Sequence, residues 1–196
     1  MKSLHLTRPY AMMMVGIPGS GKSFFATKFS EAFNTPYIDS LAIERRSKDA
    51  QAAGELLSLV MSEIAKTGQS FIYEGNSDAR VRRTEFAQWA RKHGYKPLFI
   101  WVQLDQAAAL KRTLKAKTLD TSQFNMTIGG FTAPNEHEKP VVISGKHTFA
   151  SQARVVLANI GQANRPAATE YSRESLNATQ RPTISRTNGA RNIQIQ

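Results

Sequence analysis

The chain's 196 residues, 41% of them hydrophobic, suit one folded domain; the absence of cysteine excludes disulfides, thiolate zinc sites and a cysteine nucleophile. A formal net charge of +11 and a pI near 10.1 favour phosphate-rich partners (nucleotides, nucleic acid or an anionic membrane surface), with a basic surface that only aids solubility as the plain alternative. The opening MKSLHLTRPYAMMMV has a short apolar run without a small-residue cleavage site, and no stretch nears roughly 18 apolar residues, so the expectation is a cytoplasmic protein with no signal peptide or membrane span.

In chain order, Ala11 to Val15 is a short apolar strand running into the glycine loop GIPGSGKS. The helix after it sets Phe25, Phe29 and Phe33 on one face at four-residue spacing. Tyr37 and Ile38 form a second strand ending at Asp39, and Leu56, Leu57, Val60 and Ile64 mark a helix over about 50–66, stopped by Gly68. FIY at 71–73 is a third strand ending at Glu74, followed by a helix over about 79–93 with Gly94 as its stop. Leu98 to Leu104 is a continuous apolar strand of the kind covered on both faces, and Asp105 caps a helix reaching about Lys115. The polar stretch 115–140, with Gly129, Gly130 and Pro134, reads as a mobile lid or substrate flap, or as a plain loop. A fifth strand at 141–143 and a helix over 147–160 close the domain at about residue 163. From Asn164 to Gln196 the composition turns to Ser, Thr, Asn, Gln, Ala and Arg with no apolar period, which predicts a disordered basic tail.

Strands alternating with helices predict an α/β fold of three layers: a five-stranded parallel sheet, right-handed crossovers, and helices on both faces. Ligands in such sheets bind beyond the carboxyl ends of the strands, where Gly16 to Ser23, Asp39, Glu74 and Asp105 all fall. The four histidines show no ligand spacing, and Trp89 and Trp101 lie in apolar patterns expected in the core.

Residues 16–23 match G-x-x-x-x-G-K-[ST] between a strand and a helix, the pattern of a phosphate-binding P-loop. Several backbone N–H groups must point at the phosphates, so Gly16, Gly19 and Gly21, with Pro18 and Ser20 between them, leave that backbone unobstructed. The following helix adds its positive end; Lys22 reaches the β and γ phosphates, the Ser23 hydroxyl suits Mg²⁺, and Phe24 completes the nucleotide-binding stretch. The guanine motif N-K-x-D of a GTPase is not in the sequence. A motor-type ATPase would show an apolar run ending in Asp-Glu where this chain reads FIYEGN, so small-kinase architecture remains.

The segments GIPGSGKSFF, PYIDS, FIYEGNSDARVRRTEFAQWARKHGYKPLFIWVQLD and LKRTLKAK occur in the order found in P-loop kinases. Over about residues 10–162 the chain resembles the polynucleotide-kinase-like and zeta-toxin-like group, whose members are often labelled AAA-family ATP-binding proteins. That resemblance implies ATP and Mg²⁺ as cofactors. It also implies that Asp39 takes the proton of the acceptor hydroxyl, a role a carboxylate at a strand tip facing the γ-phosphate suits. It places Glu74 where the group usually has Asp, as a magnesium-linked or base carboxylate, and Asn76 where a group Asn meets substrate or backbone. Arg112 falls on the first lid arginine, which stabilises the transferring phosphoryl group. The loop of VVISGKHTFASQARVVLANI, with Gly145 and Lys146, falls near the adenine.

The chain departs from the group at two places. Ala42 stands where an arginine follows the catalytic Asp, with Arg45 and Arg46 close behind, and Ala116 stands at the second lid arginine between Lys115 and Lys117. Arg80, Arg82 and Arg83 open the helix after Glu74 and are candidate substrate contacts or ordinary surface charge. The expectation is a monomeric enzyme moving the ATP γ-phosphate to a hydroxyl, with a nucleic-acid 5′-hydroxyl first and a sugar or nucleotide sugar close behind. A nucleotide-gated binding protein with little turnover is the alternative from another class.

Overall fold

The computed structural model describes residues 8–163; the basic tail expected from residue 164 onward lies outside the described residues. The five strands are β1 (Tyr10–Val15), β2 (Tyr37–Asp39), β3 (Phe71–Glu74), β4 (Lys96–Gln103) and β5 (Val141–Ser144). They form one sheet in the order β2-β3-β1-β4-β5, with every pairing parallel. The helices are α1 (Lys22–Phe33), α2 (Ser40–Glu44), α3 (Ala50–Thr67), α4 (Arg80–Lys92), α5 (Gln106–Lys115), α6 (Thr121–Gly130) and α7 (Phe149–Ala163), with a 3₁₀ turn at Glu136–Glu138.

β1 is the middle strand, and its two-residue period divides the core. Tyr10, Met12 and Met14 face α1 and α7, where they meet Phe25, Phe29, Val156 and Ile160. Ala11, Met13 and Val15 face α3 and α4, where Phe71, Tyr73, Phe86, Ala90 and Phe99 gather. All six β1 side chains are buried, and removing each large one from water stabilises the fold by about 1.5–3 kcal/mol. That continuous apolar run is what a strand covered on both faces requires. The predicted phenylalanine stripe is present: the Phe25 and Phe29 rings lie 5.4 Å apart and those of Phe29 and Phe33 4.6 Å apart. Trp89 and Trp101 pack half-buried against the second core.

Helix starts follow the side chains that satisfy their free N–H groups. Asp49 accepts from the Ala52 amide, and Asp105 from the Ala108 amide. Two α-helices were not anticipated. α2 follows β2 directly because Asp39 accepts from the Ala42 amide. α6 occupies part of the stretch read as a lid, flap or loop; Asp120 and Gln123 form a reciprocal capping box that starts it, and Phe124 is its one buried side chain. A helix this poor in apolar residues leaves little periodicity to read; the capping pair was its signal. Among the described residues no helix is long and apolar enough to cross a membrane.

Candidate active site

β1 delivers the chain to the carboxyl edge of the sheet, and the loop Gly16–Gly21 turns it into α1. At Gly19 φ is +75°, and a Cβ there would overlap the carbonyl of Ala109 on α5. The loop therefore lies flat against α5, which only glycine permits. No side chain caps α1, whose N-cap is Gly21, so its first N–H groups and positive end are left to an anion. The Lys22 ammonium folds back over the loop and donates to the carbonyls of Gly16 (2.9 Å) and Ile17 (3.1 Å). Burial lowers its pKa, and the nearby Glu74 charge offsets part of that.

Glu74, at the tip of β3, is only 6% exposed. Its Oε1 accepts from Ser23 Oγ at 2.9 Å, and its Oε2 accepts from the Tyr37 hydroxyl at 2.6 Å. Burial, followed by this bond to Glu74, pushes the Tyr37 phenol far above its ordinary value, so it remains a donor. Asp39 is the register partner of Glu74 on β2, and its Oδ1 accepts from the Ala42 amide at 3.1 Å. Three of the four expected catalytic groups (Lys22, Asp39 and Glu74) thus converge around the start of α1.

The fourth, Arg112, is exposed on α5, and its Nη1 donates to the carbonyl of Gly145 at 3.0 Å. A Cβ on Gly145 would overlap the Ser20 carbonyl oxygen, which fixes the β5–α7 loop against the P-loop. The next residue, Lys146, pairs with Asp105 at 2.8 Å, and that hydrogen bond holds the Asp105 carboxyl below its ordinary range. Gly145 therefore abuts the P-loop, with Arg112 bonded to its carbonyl and Lys146 next to it in the same loop. Phe24 is exposed on the first turn of α1, Pro18 is half-buried in the loop, and Ser20 is buried. A cleft of about 500 Å³ lies at the ends of β4 and β5, lined by Ile17, Trp101, Leu104, Phe131 and Lys146 among others.

The arginines after Glu74 separate into different roles. Arg80 is exposed, Arg82 pairs with Glu85 at 3.3 Å, and Arg83 is fully buried in an ion pair with Glu138. Arg83 is therefore a structural residue and no substrate contact. Asn76 is exposed beside the Glu74 tip. Tyr37 was missed by the sequence reading, although its place two residues before Asp39 on the same strand face could have signalled it.

The donors fit the expected cofactors. The glycine loop and bare helix end suit a polyphosphate, and the Ser23 hydroxyl with the Glu74 carboxylate offers the hard oxygen ligands Mg²⁺ prefers. Among the described residues no group of three His, Cys, Asp or Glu could hold a metal, so an ion here would take its other ligands from phosphate and water.

No protein-family model and no curated protein sequence matches the chain. In structure it is similar to a gluconokinase from Sinorhizobium meliloti 1021, at TM-score 0.61 and 15% identity over 80% of this chain and 94% of that one. It is likewise similar to a sugar kinase from Janibacter sp. HTCC2649, at TM-score 0.60 and 16% identity over 80% of this chain and 97% of that one. With its five parallel strands and helices on both faces, the chain has the α/β fold of P-loop kinases.

Proposed function

We propose that this chain is an ATP-dependent phosphotransferase that moves the γ-phosphoryl group to a hydroxyl of a small polyhydroxylated molecule. The observation that carries the reading is the pairing of Asp39 and Glu74 at adjacent strand tips, with Glu74 hydrogen-bonded to the P-loop Ser23. One carboxylate is thereby tied to the phosphate loop and the other left beside it to meet an acceptor.

In this reading the P-loop amides and Lys22 hold the phosphates, Phe24 borders them on the first turn of α1, and Gly145 and Lys146 face the base. The acceptor oxygen forms its bond to the γ-phosphorus as the bridging bond to the β-phosphate breaks. The hydroxyl proton passes to Asp39, and ADP leaves with the electron pair. Lys22, released from the Gly16 and Ile17 carbonyls, neutralises charge on the transferred group, and Arg112 reaches it by leaving the Gly145 carbonyl. Ser23, hydrogen-bonded to Glu74, would hold Mg²⁺, which would supply neutralisation of the polyphosphate charge.

The small acceptor is supported by the fold likeness to a gluconokinase and a sugar kinase. A second reading, a nucleic-acid 5′-hydroxyl within the polynucleotide-kinase-like group, draws on the net charge of +11 and the exposed Arg45, Arg46 and Arg80 near the acceptor side. The test is incubation with γ-labelled ATP and sugars, sugar acids, nucleosides and 5′-hydroxyl oligonucleotides, with Lys22→Ala as the control. Labelled sugar or sugar acid is expected from the wild type alone. Label on oligonucleotides only would select the second reading, and ATP binding without transfer to any acceptor would favour the nucleotide-gated binding protein.

A further inference from the structure

We infer that Tyr37 is a positioning residue of the site: its hydroxyl holds the buried Glu74 carboxylate in the orientation that lets Ser23 receive a nucleotide-bound magnesium ion. The inference deepens the kinase reading and rests on it.

Glu74 has two carboxylate oxygens and two hydroxyl donors, one on each. Ser23 comes from the first turn of α1 and Tyr37 from the first residue of β2, so the carboxylate is clamped between two separate elements. The parallel register explains how. Asp39 stands beside Glu74, and Tyr37 is two residues earlier, opposite Ile72, so its long side chain reaches diagonally along the same face to the next tip. At 2.6 Å the phenol bond lies in the short range of charge-assisted O–H···O⁻ contacts, the strong class. The ring packs against the first core, a role phenylalanine would fill equally well, so the hydroxyl is what distinguishes tyrosine here.

The consequence concerns Ser23. A serine hydroxyl has one proton and two acceptor lone pairs. With its proton committed to Glu74 Oε1, the lone pairs are left for a cation at the phosphates. If Glu74 turned, Ser23 would lose that direction. The competing partner is Lys22, the residue before Ser23, whose ammonium lies on the Gly16 and Ile17 carbonyls. Tyr37 opposes that rotation by engaging Oε2. Groups that orient metal ligands in this way are worth about 10–100-fold in metal affinity or activity when removed.

The experiment is an equilibrium ATP titration of the full chain in EDTA and across a Mg²⁺ series, needing no acceptor. For Tyr37→Phe the ATP affinity in EDTA should stay within about twofold of wild type, while the Mg²⁺ concentration giving half of the affinity gain rises about tenfold. In a Glu74→Gln background, adding Tyr37→Phe should change that midpoint by less than about twofold, because the tyrosine acts through the carboxylate. An unchanged midpoint in Tyr37→Phe overturns the inference. So does an equal loss of affinity with and without Mg²⁺, which would mark Tyr37 as merely structural. A wild-type protein that binds no ATP in either condition overturns the nucleotide reading itself, and the inference falls with it.

Discussion

Arg83 and Glu138, 55 positions apart, form a two-pronged ion pair: Nε donates to Oε1 at 2.7 Å and Nη2 to Oε2 at 3.2 Å. Nη1 also donates to the carbonyls of Ser77 and Thr132, both at 2.9 Å. The guanidinium is fully buried and the carboxylate side chain 10% exposed. The pair thus ties the segment after α6 to the first turn of α4, just beyond the Glu74 tip.

Removing one partner of such a pair leaves the other charge uncompensated. Arg83→Ala should destabilise the protein by about 3–5 kcal/mol, the range for breaking a buried pair from one side. Denaturant unfolding followed by circular dichroism measures it. A loss below about 1 kcal/mol would mean that solvent readily reaches Glu138.

The same pair sets an acid dependence. Burial raises the Glu138 pKa, but the Arg83 hydrogen bonds and the Asn135 amide outweigh it and hold the carboxyl below its ordinary value of 4.5. A carboxyl depressed in the folded state contributes stability that is fully present above its unfolded value and lost as the pH falls through the folded one. Stability should therefore fall with acid below about pH 4.5, and Glu138→Gln should flatten that part of the profile. An acid limb of unchanged slope in the variant would assign the dependence to other carboxylates.

The sheet and the P-loop were legible because their signals are local. The run Ala11 to Val15 and the spacing from Gly16 to Ser23 each lie within one short segment and allow few other structures. The Asp105 cap was legible for the same reason. Arg83 was not, since a charged residue on an amphipathic helix reads as solvated until a carboxylate 55 positions later is known to fold onto it. Tyr37 was hidden similarly: its partner Glu74 is on a neighbouring strand, and only register aligns the two tips. α6 escaped because its stability comes from caps and one buried ring rather than an apolar stripe.

Gly145 offers a test of how the base side is built. An added Cβ would overlap the Ser20 carbonyl, which belongs to the P-loop backbone and can move only with the loop. Gly145→Ala should weaken ATP binding about tenfold or more, equivalent to about 1.4 kcal/mol, and cost about 1–3 kcal/mol of stability through overpacking. Isothermal titration and thermal melts read the two effects. Wild-type values in both would show that the β5–α7 loop is not pressed against the P-loop in solution.

Asp39 carries the sharpest test of the chemistry. The carboxylate has two duties: it accepts the Ala42 amide to start α2, and in the proposed reaction it takes the acceptor's proton. Asparagine separates them. Its side-chain oxygen still caps the helix, at a cost that is small because Asn and Asp are nearly equal caps. Its neutral amide cannot take the proton. Asp39→Asn should therefore melt near the wild-type temperature and bind ATP within about threefold, since Lys22 and the P-loop amides are untouched. Phosphoryl transfer should fall by about two to four orders of magnitude, the usual contribution of a positioned general base. Single-turnover transfer to the best acceptor, beside an equilibrium ATP titration, measures both quantities. Equal transfer rates in variant and wild type would remove Asp39 from the mechanism and pass the base role to its register partner Glu74.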